Sequence, residues 1–110
     1  MISRIWHGWT SRENADAYEA LLRAEVLPGI HRVKGYLGAY LLRRPVEREV
    51  EFVTITQFED LDAVRAFAGA DYERAVIAPG AEHLLVRFDE RSTHYETRLT
   101  PEEVRAAAFK

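Results

Sequence analysis

Apolar side chains crowd the first ten positions on both parities of an extended chain. Ile2 and Trp6 fall on one side, and Ile5 and Trp9 on the other. Aromatic and β-branched types dominate the run, so residues 1–10 read as a strand. Thr10 and Glu13 stand three apart, the spacing of a reciprocal helix cap. Ala15, Tyr18, Leu21, Leu22 and Val26 then recur at steps of three and four, which predicts an amphipathic helix ended by Pro28-Gly29. Gly35 opens a second extended run to Leu42, in which Leu37 and Leu41 oppose Tyr40 and Leu42. Polar residues 45–49 predict a hairpin loop. Residues 50–58 form a third strand, with Phe52 and Phe58 opposing Val53 and Ile55. Asp60 caps a second helix with Leu61, Val64, Phe67 and Ala68 on its inner side and Gly69 as its stop. Residues 71–88 read as short helical pieces broken at Pro79-Gly80, and 92–99 as a last strand. Thr100-Pro101-Glu102-Glu103 starts a short final helix.

The order β-α-β-β-α-β defines an α+β, ferredoxin-like split βαβ domain with a four-stranded antiparallel sheet and both helices on one face. It predicts a domain over residues 1–98 and a helical extension over 99–110. An antiparallel sheet with one solvated face alternates apolar and polar positions. Here both faces are apolar, yet the chain supplies helices for only one. The remedy expected is a second copy packed on the bare face, hence a homodimer, with the C-terminal helix packing on the partner. A chain of 110 residues with no cysteine has no disulfide or thiolate metal site to stabilise a small core, which strengthens that expectation.

Charge narrows the partners. Fifteen basic residues against eighteen acidic give a formal charge of -3, without the basic excess of a nucleic-acid binder. No nucleic-acid partner is expected. No run approaches the ~20 apolar residues that span a bilayer. The first residues also lack the apolar core and cleavage site of a secretory leader, so no membrane partner and a cytoplasmic location are expected.

The stretch Phe52-Val53-Thr54-Ile55-Thr56-Gln57-Phe58-Glu59-Asp60-Leu61-Asp62-Ala63-Val64 resembles the strand-to-helix segment of the antibiotic biosynthesis monooxygenase-like family. The opening from Trp6 to Leu22 is similar to it too, as are Arg87-Phe88-Asp89-Glu90-Arg91 and His94-Tyr95-Glu96. The resemblance covers roughly residues 1–96. It implies a dimeric α+β barrel and, among the activities of its members, cofactor-free oxygenation of polyketide anthrones and quinols or degradation of haem. The haem-degrading pattern has an asparagine on the first strand, a tryptophan on the second helix and a histidine just after it. This chain has Asn14 in its opening helix, Phe67 at the tryptophan's place and no histidine over 71–78.

Cofactor-free oxygenation needs a dry pocket, a base and donors that steady a substrate anion. The candidate catalytic residues are His83, Tyr72 and His7. His83 follows Pro79-Gly80 and reads as a base, as an axial ligand or as a solvated helix histidine. Tyr72 reads as a phenol donor or as packing against Trp9 or Phe67. His7 lies between the tryptophans and reads as a substrate contact or as a partly buried strand histidine. Trp9, Phe58 and Phe67 are the candidate substrate-binding residues, with core or interface packing as the alternative. His31 reads as a surface residue and His94 as an edge or dimer-face residue. Arg87, Asp89, Glu90 and Arg91 read as a salt-bridge network. No H-x-H or H-E-x-x-H spacing and no glycine-rich phosphate loop occurs, so neither a metal nor any other cofactor is expected. The function expected is a cofactor-independent monooxygenase acting on a hydrophobic or aromatic small molecule such as a quinol or polyketide. The alternative is a non-catalytic dimeric small-molecule-binding or accessory protein of the same fold.

Overall fold

The computed structural model describes residues 1–26, 28 and 32–108. The expected surface position of His31 and the glycine of the 28–29 helix stop lie outside them. Strand β1 (Ile2–Ser11) is followed by helix α1 (Ala15–Leu21), which continues in wider π-helical winding over Leu22–Val26. Then come β2 (Tyr36–Val46), β3 (Glu49–Phe58) and helix α2 (Leu61–Ala68). Two short strands, β4 (Leu85–Phe88) and β5 (Thr93–Glu96), and helix α3 (Pro101–Ala108) complete the chain. The sheet is antiparallel in the order β2-β3-β1-β4, with β5 also on β1. This is the split βαβ arrangement expected from the sequence.

The expected fourth strand is two. β4 pairs with the far half of β1, from Gly8↔Phe88, and β5 with the near half, from Ile5↔Thr93 to Ile2↔Glu96. Residues 71–84, expected as helical pieces, form turns and extended chain instead. Their backbone groups bond across to the gap between β4 and β5: the Ala75 amide donates to the Glu90 carbonyl at 2.8 Å and the Ser92 amide to the Glu73 carbonyl at 2.6 Å. A helix would have used those groups locally.

Three further boundaries differ from the sequence reading. Thr10 does not cap α1, because it is still inside the β1 ladder opposite Val50; its hydroxyl donates to the Ser11 carbonyl, and the Ser11 hydroxyl accepts from the Asn14 amide. The loop expected over 45–49 shrinks to Glu47-Arg48, since Pro45 and Val46 still pair with Val50 and Glu49. Pro45 is tolerated because β2 is an edge strand, where a missing N–H costs no ladder bond. A bulge at residues 36–38 adds one residue to β2 and moves Leu37 to the side of Tyr40, with which it lines a surface groove. The Asp60 cap is formed as expected: its carboxylate accepts from the Ala63 amide at 2.8 Å, and Gly69 ends α2 at φ 91°.

Alternation on β1 and β3 sends Trp6, Val50, Phe52 and Phe58 toward the helices. Tyr18 meets Phe52 edge-on at 4.9 Å, and Phe58 packs with Ala63 and Val64. Ile5, Val53, Ile55, Tyr40 and Leu42 occupy the opposite face and stand partly or largely open; Tyr40 and Leu42 are about half exposed. Helix α3 contributes no buried residue. Among the described residues, no helix is long and apolar enough to cross a membrane.

Candidate functional site

Between the sheet and the helix layer lies a cavity of about 60 Å³. Its aromatic walls are Trp6 from β1, Tyr18 from α1 and Phe67 from α2. Leu22, Val76, Ile77 and Ala78 close its apolar side, and Arg4, Thr54, Thr56 and Ser92 make its polar side. The volume holds a few waters, well below the roughly 300 Å³ at which drug-sized pockets begin. Residues 76–78 of this lining carry no regular structure.

Arg4 dominates the site. It follows Ile2 and precedes Trp6 on the helix-facing side of β1 and is 4% exposed. Its guanidinium donates to the carbonyls of Tyr72 and Arg74, the latter at 2.9 Å, and to Nε2 of His94 at 3.0 Å. Because a guanidinium only donates, Nε2 of His94 is an acceptor and the ring is neutral. The Phe67 ring covers the Arg4 Cζ at 5.5 Å. Among the described residues every ion pair belongs to another basic group, so Arg4 is buried without a carboxylate. Burial lowers its pKa to about 10. Burial, and then the neighbouring Arg4 charge, also hold His94 below the ordinary histidine value of 6.5. The second polar feature is Ser92. It is 4% exposed, its Oγ has no hydrogen-bond partner, and it faces the same cavity as Arg4.

The six candidates from the sequence are not brought together. Phe67 lines the cavity. Phe58, fully buried, stands behind it with ring centroids 5.7 Å apart. Tyr72 packs beside them, edge-on to His94 at 5.2 Å and under the Arg65 guanidinium, and reaches the site through its backbone carbonyl. His7 and Trp9 lie on the opposite face of the sheet, as odd-numbered β1 positions must. There His7 bonds Glu51 at 2.9 Å and stacks on Trp9, and Arg87 covers Trp9 at 4.1 Å. His83 is exposed on the turn before β4. His94, expected at an edge or dimer face, is on the edge strand but turns its ring toward Arg4. The charged cluster before β5 does form ion pairs, with each arginine reaching out of it: Arg87 to Glu49 and Arg91 to Asp71.

Arg4 is missing from the sequence candidates, although a signal was there: a charge flanked at two-residue steps by Ile2 and Trp6 shares their face of the strand. Ser92 carries no such signal; only the gap between β4 and β5 places it.

One sheet face and two helices thus surround an aromatic cavity that carries a buried cation. The chain belongs to the antibiotic biosynthesis monooxygenase family, whose model matches residues 1–79. Its fold is shared by a mutant of SnoaB, a cofactor-independent oxygenase from Streptomyces nogalater, at 19% identity over 91% of this chain and 96% of that one, TM-score 0.62. It is shared by a monooxygenase from the gene ActVA-Orf6 of Streptomyces coelicolor, in complex with nanaomycin D, at 17% identity, 90% and 88% coverage and TM-score 0.63. The heme-degrader MhuD of Mycobacterium tuberculosis, solved with two hemes in its active site, matches at 19% identity, 91% and 98% coverage and TM-score 0.59. No protein of curated function matches the chain in sequence.

Among the described residues, those that line the cavity do not fit a haem. Its iron needs an axial donor, and no described histidine lines the cavity. Tyr18 does, but burial raises its pKa and so disfavours the phenolate that would bind iron.

Proposed function

We propose that the chain is a cofactor-independent monooxygenase acting on an aromatic small molecule of the anthrone or quinol type. The observation that carries this reading is the grouping of Trp6, Tyr18 and Phe67 with the buried Arg4 around one cavity. The rings suit a flat polycyclic guest, and the cation suits the electron-rich anion that reacts with dioxygen. For an anthrone the balance is complete without a cofactor: a ring methylene and one dioxygen give a ring carbonyl and one water. All four electrons come from the substrate.

A second copy of the chain is the partner that suits the open sheet face. Ile5, Trp9, Val53, Ile55 and Leu42 would form the shared layer, and both cavities would lie outside it. The protein would act as a soluble cytoplasmic dimer. Its organisation is a domain over 1–98 with residues 99–110, which include α3, as an arm.

One observation favours non-catalytic binding instead: among the described residues, no carboxylate or imidazole lines the cavity to serve as a base. Oxygen uptake with a panel of anthrones and hydroquinones decides between the two. The expected result is uptake of one dioxygen per anthrone converted, cut about ten-fold or more by Phe67→Ala, which loosens the substrate's hold. In His83→Ala the rate should stay within about two-fold, as for an exposed position. Binding of the panel with no uptake by the wild type would establish the accessory role and overturn the enzyme.

A further inference from the structure

We propose that Arg4 and Ser92 form an oxyanion-holding pole, and that the cavity takes its aromatic ligand as a phenolate or enolate whose ionised oxygen accepts from both side chains. The inference rests on the reading of the cavity as the substrate site, and it supplies the step that reading lacks: how a substrate loses a proton where no described side chain lining the cavity serves as a base.

Arg4 is a full charge that is 4% exposed, with three hydrogen-bond partners and no carboxylate among the described residues. Three partners leave two of its five N–H donors for a ligand. A buried cation lacking a counter-ion is costly, and an anion delivered to it removes that cost. Ser92 is the independent second observation. Its hydroxyl is the one buried side-chain polar atom among the described residues with no hydrogen-bond partner, and it faces the same small cavity. A lone hydroxyl that is nine-tenths buried calls for an acceptor or donor that the chain does not supply.

The backbone fixes the two groups relative to each other. The consecutive carbonyls of Tyr72, Glu73 and Arg74 accept, in turn, from Arg4, the Ser92 amide and Arg4 again. One three-residue strap therefore ties the guanidinium and the backbone of Ser92 to the same stretch of chain. The aromatic walls select the ring that carries it.

The groups around the pole keep its charge positive. His94, on β5, is neutral and spends its lone pair on Arg4. Glu73 acts on His94 and forms no ion pair with Arg4. Tyr18, from α1, remains a neutral phenol. Tyr72 offers Arg4 its carbonyl, and Phe67 offers its ring face. An oxygen acid entering this field meets one positive charge, and on this proposal the attraction outweighs the desolvation that keeps Tyr18 neutral, so that the proton passes to solvent on binding.

The test uses para-nitrophenol, whose colour reports its ionisation, beside para-nitroanisole, the neutral ether of the same shape. With the wild-type protein, the bound phenol should ionise at a proton concentration about ten-fold or more above that needed in free solution. Ser92→Ala removes a hydroxyl that no protein group depends on. It should weaken phenolate binding about ten-fold or more and leave the ether unaffected. Arg4→Gln should abolish the shift in ionisation; circular dichroism verifies its fold, and if the strap fails in that variant the wild-type titration and Ser92→Ala still decide. Binding of phenol and ether alike, with no change in ionisation, overturns the pole and spares the aromatic cavity. Binding of neither overturns both the pole and the proposed function.

Discussion

The indole of Trp6 lies across Gly8, so close that a β-carbon at residue 8 would stand 2.4 Å from the ring. Its Nε1 also donates to the Asp89 carbonyl at 2.8 Å. Two residues apart on the same face of β1, the pair shapes the cavity wall: glycine gives the room, and the bond to the 89–92 gap sets the tilt. Gly8→Ala must displace the ring or bend the strand. The expected loss is about 1–3 kcal/mol of stability, as for an overfilled core, with a changed tryptophan emission. Urea denaturation followed by fluorescence measures it; an unaltered midpoint would show that the ring moves freely.

Acid should loosen the protein through His94. Its folded-state pKa lies below 6.5, so between those values the unfolded chain holds more protons and stability falls as pH falls. The contribution is complete above the ordinary histidine value and is lost on descent through the folded one. Protonation also sets a cation against Arg4 where a lone pair stood. In His94→Gln, whose amide oxygen still accepts from Arg4, that share of the slope should vanish from a series of melting curves. An identical pH slope in both proteins would assign the loss elsewhere.

Asp60 is the cleanest local test. Its carboxylate satisfies the Ala63 amide at the start of α2, and this helix carries Phe67 to the cavity. Asp60→Ala should cost about 1 kcal/mol, and Asp60→Asn should recover most of it. Equal denaturation midpoints for all three would remove the cap from the account.

The open sheet face makes a prediction about mass. Val53 and Ile55 are central on β3 and turned away from the helices. Sedimentation at micromolar concentration should give a dimer for the wild type and a folded or partly folded monomer for Val53→Asp. A monomeric wild type would refute the second-copy reading.

The course of the helix-facing core was legible because strand alternation is local. Ile2 and Trp6 against Ile5 and Trp9, and Phe52 against Val53, need only the two-residue repeat. The errors came where pairing with a distant strand overrides local preference. Thr10 has a fair capping context but is kept in the ladder by Val50. Residues 85–88 have no decisive period and become β4 only because β1 offers an edge. Leu37 changes sides because a bulge adds one residue, which inverts everything beyond it. For the site, Phe67 was within reach from helix spacing. Ser92 was not, since its isolation depends on where two non-adjacent segments leave a hole.

The strap over residues 72–74 also sets an order of events. Arg4 lies 68 to 90 positions from the groups it bonds, whereas the β2–β3 hairpin closes over two. Long closures are entropically the slowest to be won. In refolding, the hairpin and its helices should therefore assemble around a still solvated Arg4, and the guanidinium should be sealed last. A chain released from unfolding would regain its helical signal before it regained the proposed affinity for a phenolate, so that binding would mature after the fold that carries it.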